Sequence, residues 1–113
     1  MLGIDIINIA RIKSMYQKHG LAFVEKILDQ REISDLPLKK NSYFFKKLCC
    51  YIASKEAIFK ACSEYKLEWK EISIRDISAA PKIQISRPNF KKKIKLTFSV
   101  RKDLVLSQAI VTE

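Results

Sequence analysis

The chain has 113 residues, 48% of them apolar, enough for one modest core and for one domain spanning residues 1–113. Twenty-two Lys and Arg against twelve Asp and Glu leave a formal charge of +10, which suits a polyanionic ligand or an acidic partner. No run of about 18 apolar residues is present, which excludes a membrane-spanning helix, and two glycines and three prolines leave no low-complexity segment.

Residues 2–9 are rich in isoleucine in imperfect alternation and predict a strand buried on at least one face. This segment lacks a basic start and carries Asp5 in mid-run, so it reads as the first strand of a cytoplasmic protein rather than a signal peptide. Arg11 to Lys18 predicts a short helix with Ile12 and Met15 on one side. His19-Gly20 stops it, glycine accepting a left-handed backbone. A second short helix has Phe23, Ile27 and Leu28 as its apolar edge, and Asp29-Gln-Arg-Glu32 has the capping-box pattern that opens a third. Pro37 and Lys39-Lys40-Asn41 mark a loop.

Ser42 to Ser63 contains neither Gly nor Pro and predicts the longest helix, with Phe45, Leu48, Cys49, Ile52 and Phe59 as one stripe. Beyond it the period falls to two. Ile72 and Ile74, Ile83 and Ile85, then Ile94, Leu96, Phe98 and Val100 alternate with polar neighbours, as half-buried strands do. Arg101-Lys102-Asp103 predicts a tight turn into a last strand, Leu104 to Val111. The order predicts an α+β domain: an N-terminal strand, short helices and one long helix packed on a mainly antiparallel sheet.

Cys49, Cys50 and Cys62 form no C-x-x-C pair, and with His19 the single histidine no tetrahedral zinc site can be assembled. Free cysteine packs as a small hydrophobe, so the three read as reduced core residues.

Two carboxylates interrupt apolar patterns. Asp5 lies between Ile4 and Ile6, and Glu56 falls one turn after Ile52 on the stripe that faces the core. A buried carboxylate is costly unless something positive compensates it, and Lys60, four residues on, can meet Glu56 on one helix face. Two meanings are open. One is a partly buried ion pair plus a strand-edge aspartate. The other is a hard-cation site, in which two carboxylates leave positions for water and phosphate oxygens, as Mg2+ prefers. Spacing by itself favours the first.

Motifs tip the balance. GIDIINIAR (residues 3–11), followed by Ile12, resembles the first motif of the holo-acyl-carrier-protein synthases of the 4′-phosphopantetheinyl transferase superfamily, and YIASKEAIFKA (51–61) resembles their second. Phe23 to Leu28 matches the family's F-x-E-[KR]-I-L segment, and LTFSVRKDLVLSQAIVTE (96–113) is similar to its final hairpin. The resemblance implies transfer of phosphopantetheine from coenzyme A to a serine of an acidic acyl carrier protein, in support of fatty acid synthesis. It implies that Asp5 and Glu56 bind Mg2+, that Lys55 and Lys60 lie near coenzyme A phosphates, and that Arg11 and Met15 meet the carrier; Lys26, on a helix where the carrier should dock, is a further contact candidate by charge. Glu56 would accept the serine proton, and Lys60 would stabilise charge on the phosphate. Small family members act as homotrimers with sites between neighbouring subunits.

Three departures fall on positions the family uses for the nucleotide end of coenzyme A. Val100 follows Ser99 where a histidine is usual, Tyr51 lies where an arginine is usual, and Cys62-Ser63-Glu64-Tyr65 replaces a glycine-rich segment. Ser99 stays a cofactor-contact candidate, and Arg101 and Lys102 are candidates to take over phosphate binding. Retention of Asp5, Glu56 and Lys60 favours an active enzyme over a carrier-binding relative without turnover. A nucleic-acid-binding reading rests on Lys91-Lys92-Lys93 and on Tyr43, Phe44 and Phe45 beside Lys46-Lys47. It is weaker, because lysines commonly protect strand edges and the aromatic residues fall on the helical core stripe.

Overall fold

A computed structural model describes all 113 residues. β1 (Leu2–Asn8) leads through α1 (Ile9–His19), α2 (Leu21–Ile27) and α3 (Gln30–Asp35) into the long α4 (Ser42–Ala61). β2 (Ile72–Arg75), β3 (Lys82–Ile85), β4 (Lys93–Arg101) and β5 (Leu104–Thr112) follow. The boundaries have local causes. Asn8 accepts the Ala10 amide at the head of α1, and Asn41 accepts the Phe44 amide at the head of α4. Gly20, at φ 64°, ends α1. Asp29 and Glu32 form the expected reciprocal capping box at 2.8 and 2.9 Å. The turn between β4 and β5 puts Lys102 at φ 50°, and the Asp103 carbonyl accepts the first amide of α1 at 2.7 Å.

α4 is more deeply buried than one stripe allows. Thirteen of its twenty residues are buried, so it is a central helix, clasped by the sheet on one side and by the short helices on the other. The strands also differ from expectation, because they form two sheets. One has the order β1-β5-β4, all antiparallel, and β2 pairs with β3 alone. The Ile74 amide of β2 donates to a side chain, Glu32 Oε2, at 2.8 Å. β3 is short, and Pro88 interrupts the link to β4, so no tight hairpin joins the two sheets. Two 3-10 turns, Ser63–Tyr65 and Trp69–Glu71, carry the chain from α4 to β2. No helix is long and apolar enough to cross a membrane.

Register fixes which residues reach α4. Gly3 pairs with Ala109 and Asp5 with Ser107, so Gly3, Asp5, Val105, Ser107 and Ala109 face inward. Leu2, Ile4, Ile6, Leu104, Leu106 and Ile110 are left on the outer face, each 41–62% exposed. A continuous apolar face of this kind is a recognised mark of an interaction surface. The three cysteines are free and buried, and burial pushes the Cys49 thiol up to about 12 and that of Cys50 to about 11.

Lys55 departs from the expected phosphate contact. Its side chain is fully buried, and its ammonium donates to Glu32 Oε1 at 2.7 Å, to the Ile27 carbonyl at 2.9 Å and to the Trp69 carbonyl at 3.2 Å. One residue along a helix is a rotation of about 100°, which turns Lys55 into the short-helix side while Glu56 faces elsewhere. Burial draws the ammonium below the ordinary lysine range, against the pull of Glu32. Lys55→Met keeps the volume but leaves Glu32 as an uncompensated buried charge, and should cost about 3–5 kcal/mol in urea unfolding. A loss below about 1 kcal/mol, the range of an exposed pair, would contradict this reading.

Candidate active site

β1 crosses α4 at Gly3. A Cβ there would lie 1.9 Å from the Ala57 carbonyl oxygen and 2.6 Å from the Ala61 amide nitrogen, so the two backbones touch only because no side chain intervenes. Two residues on, and therefore on the same face, Asp5 reaches the α4 surface beside Glu56 and Lys60.

The Asp5 carboxylate is nearly buried. Its Oδ1 accepts from Lys60 Nζ at 2.9 Å, and the same ammonium donates to the Ile4 carbonyl at 3.0 Å. Lys60 thus reaches across to β1 instead of back along the helix to Glu56, the pairing that spacing suggested. Asp5 Oδ2 is buried with no partner. Burial, and then the charge of Asp5, push the Glu56 carboxyl above its usual range, against the pull of Lys60 and Arg11. Two carboxylates that repel each other, one with an orphaned oxygen, are what a hard cation would relieve. The donor set fits Mg2+, which takes oxygen ligands and keeps open positions when few come from protein. Within the chain no third Asp, Glu, His or Cys side chain joins the pair.

Asp5 and Glu56 line a cleft of about 400 Å3, with Arg11 and Met15 of α1 beside them. The expected metal and carrier residues are therefore together, except Lys26, which is exposed on α2 outside the cleft lining. Ser99 and Arg101 stand apart. They pair with Leu106 and Leu104, so they lie on the sheet face opposite Asp5, and within one chain neither reaches the cleft. The cleft's apolar wall was missing from the sequence reading as a site feature: Phe23, Ile27, Ile52 and Trp69 form it. Trp69 stacks edge-on against Phe59 at 4.7 Å. It lies in an irregular segment whose periodicity offered no hint of direction.

Residues 1–110 match the family model of the 4′-phosphopantetheinyl transferase superfamily. The chain is 34% identical over 113 residues to the holo-[acyl-carrier-protein] synthase of Thermodesulfovibrio yellowstonii, covering 98% of this chain and 96% of that protein. Against the holo-[acyl-carrier-protein] synthase of Chlorobaculum parvum it is 30% identical, over 97% and 96% of the two. Its backbone superposes on the crystal structure of Helicobacter pylori holo-[acyl-carrier-protein] synthase in complex with coenzyme A with a TM-score of 0.82 at 26% identity, over 99% of this chain and 100% of that one. The chain belongs to the 4′-phosphopantetheinyl transferase superfamily and, within it, to the holo-[acyl-carrier-protein] synthases.

The two glycines of the chain give a paired prediction. Gly3→Ala must lift β1 off α4 and should cost about 3 kcal/mol or more, as severe overpacking does. Gly20→Ala meets nothing within 4 Å but must hold φ 64° and ψ −150°, backbone that essentially only glycine adopts, a cost of about 1–3 kcal/mol. Urea unfolding of both variants checks this, and a Gly3→Ala loss below about 1 kcal/mol would show that the Gly3 contact is softer than its geometry.

Proposed function

We propose that this chain transfers the 4′-phosphopantetheine arm of coenzyme A to a serine hydroxyl of an acidic apo-acyl carrier protein, releasing 3′,5′-ADP, with Mg2+ required and fatty acid synthesis served. The reading takes residues 1–113 as one cytoplasmic transferase domain. The observation that carries it is the Asp5–Glu56 pair, with its orphaned carboxylate oxygen, opening into a cleft flanked by Arg11 and Met15.

In the reaction the serine oxygen attacks the β-phosphorus of coenzyme A, the bond to the 3′,5′-ADP oxygen breaks, and the serine proton leaves. Asp5 and Glu56 are the residues that would hold the metal, which when bound neutralises phosphate oxygens. Glu56, beside Asp5 on the wall of the cleft, is suited by position to accept the serine proton directly or through a water. Lys60, half-exposed and anchored by Asp5 and the Ile4 carbonyl, offers its charge to the phosphate as negative charge builds there. Arg11, with Met15 beside it, meets the carrier, Lys26 adds a positive charge on the neighbouring helix, and the +10 net charge steers an acidic protein toward them.

The active form is a homotrimer. The outer face of the β1-β5-β4 sheet supports this, since its exposed Leu2, Ile4, Ile6, Leu106 and Ile110 need a partner to leave water. Ser99 and Arg101 edge that same face, so a neighbouring copy can bring them to coenzyme A where their own chain cannot. Ile110→Lys, on the outer face and away from the cleft lining, should convert trimer to monomer in light scattering and abolish transfer, while far-UV circular dichroism is unchanged. A trimer persisting in that variant would move the interface elsewhere.

Intact-mass spectrometry of apo-carrier incubated with the protein, coenzyme A and Mg2+ tests the reaction. A phosphopantetheine mass gain is expected, absent with EDTA and slowed in Glu56→Gln by about 10²-fold or more, the lower bound for a lost general base. No gain with several carriers would favour a carrier-binding relative without turnover.

A further inference from the structure

We propose that Lys55 is a positioning residue for the transfer reaction, its buried ammonium strapping the backbone behind the cleft's apolar wall to α4 and so fixing that wall relative to Glu56. The inference rests on the transferase reading of the cleft.

The geometry is specific. An ammonium has three donors, and Lys55 spends them on Glu32 Oε1, the Ile27 carbonyl and the Trp69 carbonyl. Ile27 ends α2, where helical carbonyls lack intrahelical partners, and Trp69 opens the 3-10 turn that leads into β2. Both residues turn their side chains into the cleft that Glu56 also lines. The same two residues therefore present carbonyls to Lys55 and apolar groups to the substrate side. Glu32 is itself fixed, accepting the Asp29 amide at 2.9 Å and the Ile74 amide at 2.8 Å, so the ammonium is anchored from α3 and β2. Removing the ammonium leaves two carbonyl dipoles aimed at an apolar side chain. The end of α2 and the 69–71 turn then relax away from α4, and the cleft widens on the side opposite Asp5.

A core role alone would couple every effect of Lys55 to stability, and the double variant Lys55→Met/Glu32→Gln separates the two. It removes both charges at nearly constant volume and so regains the stability that an uncompensated buried Glu32 charge costs the single variant, yet it lacks the strap and its two carbonyl bonds. Trp69 is the sole tryptophan, so its emission reports the wall directly. The double variant should unfold at a higher urea midpoint than Lys55→Met but show red-shifted Trp69 emission and greater acrylamide quenching than the wild type. Its KM for apo-carrier should rise about tenfold, a loss of binding common to ground and transition states, with kcat changed less than about twofold. Glu32→Gln alone keeps an acceptor for Lys55 and both carbonyl bonds, so it should be less stable yet retain wild-type emission and KM.

Wild-type Trp69 emission in the double variant overturns the proposal whatever its activity, as does a KM that recovers together with stability. A Glu32→Gln protein that shifts Trp69 and KM as far as the double variant overturns it as well, and decides the matter if the double variant does not fold. Absence of transfer by the wild-type protein would instead count against the transferase reading, leaving the emission comparison to judge the strap on its own.

Discussion

At Gly3 the backbone of β1 lies directly against the backbone of α4, and the arrangement of the site follows from that contact. Strand parity carries Asp5 to the same helix face, where Lys60 takes one of its oxygens and the other is left buried and unpartnered. Glu56 is added by the helix itself, one turn before Lys60. A side chain at position 3 would separate strand from helix and dissolve the pair without touching either carboxylate. The G-x-D spacing thus has a mechanical meaning: glycine sets the approach and aspartate uses it.

The second organising feature is the charged pair at the centre of the fold. Lys55 and Glu32 gather α2, α3, β2 and the 69–71 turn onto α4. Buried ion pairs seldom add net stability over an apolar replacement. Here the pair, one residue from the cleft-lining Glu56, is better understood as a constraint on geometry than as a source of folding energy. Adjacent residues of one helix thus divide the work, Lys55 inward to the scaffold and Glu56 outward to the cleft.

Much of the fold was legible because its signals are local. The capping box at Asp29 and Glu32, the Gly20 stop and the unbroken run from Ser42 each express short-range chemistry, and each element formed where expected. Asp5 and Glu56 stood out because they interrupt apolar patterns, but that pattern by itself favoured a structural ion pair, and the metal-site reading came from the resemblance. Lys55 was misread because it shares a motif with Glu56, and motif adjacency says nothing of the rotation between neighbouring helix positions. The split into two sheets and the direction of Trp69 depend on tertiary contacts with no periodic signature. Lys60 paired with Asp5 and not Glu56 for the same reason: its partner came from a strand more than fifty residues away.

The central claim is that Asp5 and Glu56 form a divalent-cation site held together by the β1–α4 contact. Electron paramagnetic resonance titration of Mn2+, with coenzyme A present, measures this directly on wild-type and Asp5→Asn proteins whose circular dichroism agrees. The account predicts saturable Mn2+ binding by the wild-type chain that Mg2+ displaces, weakened by Asp5→Asn by about tenfold or more, the smallest effect expected when a carboxylate ligand is lost. Mn2+ binding unaltered by Asp5→Asn, or no saturable binding by the wild-type chain, would contradict it and return the two carboxylates to a purely structural role.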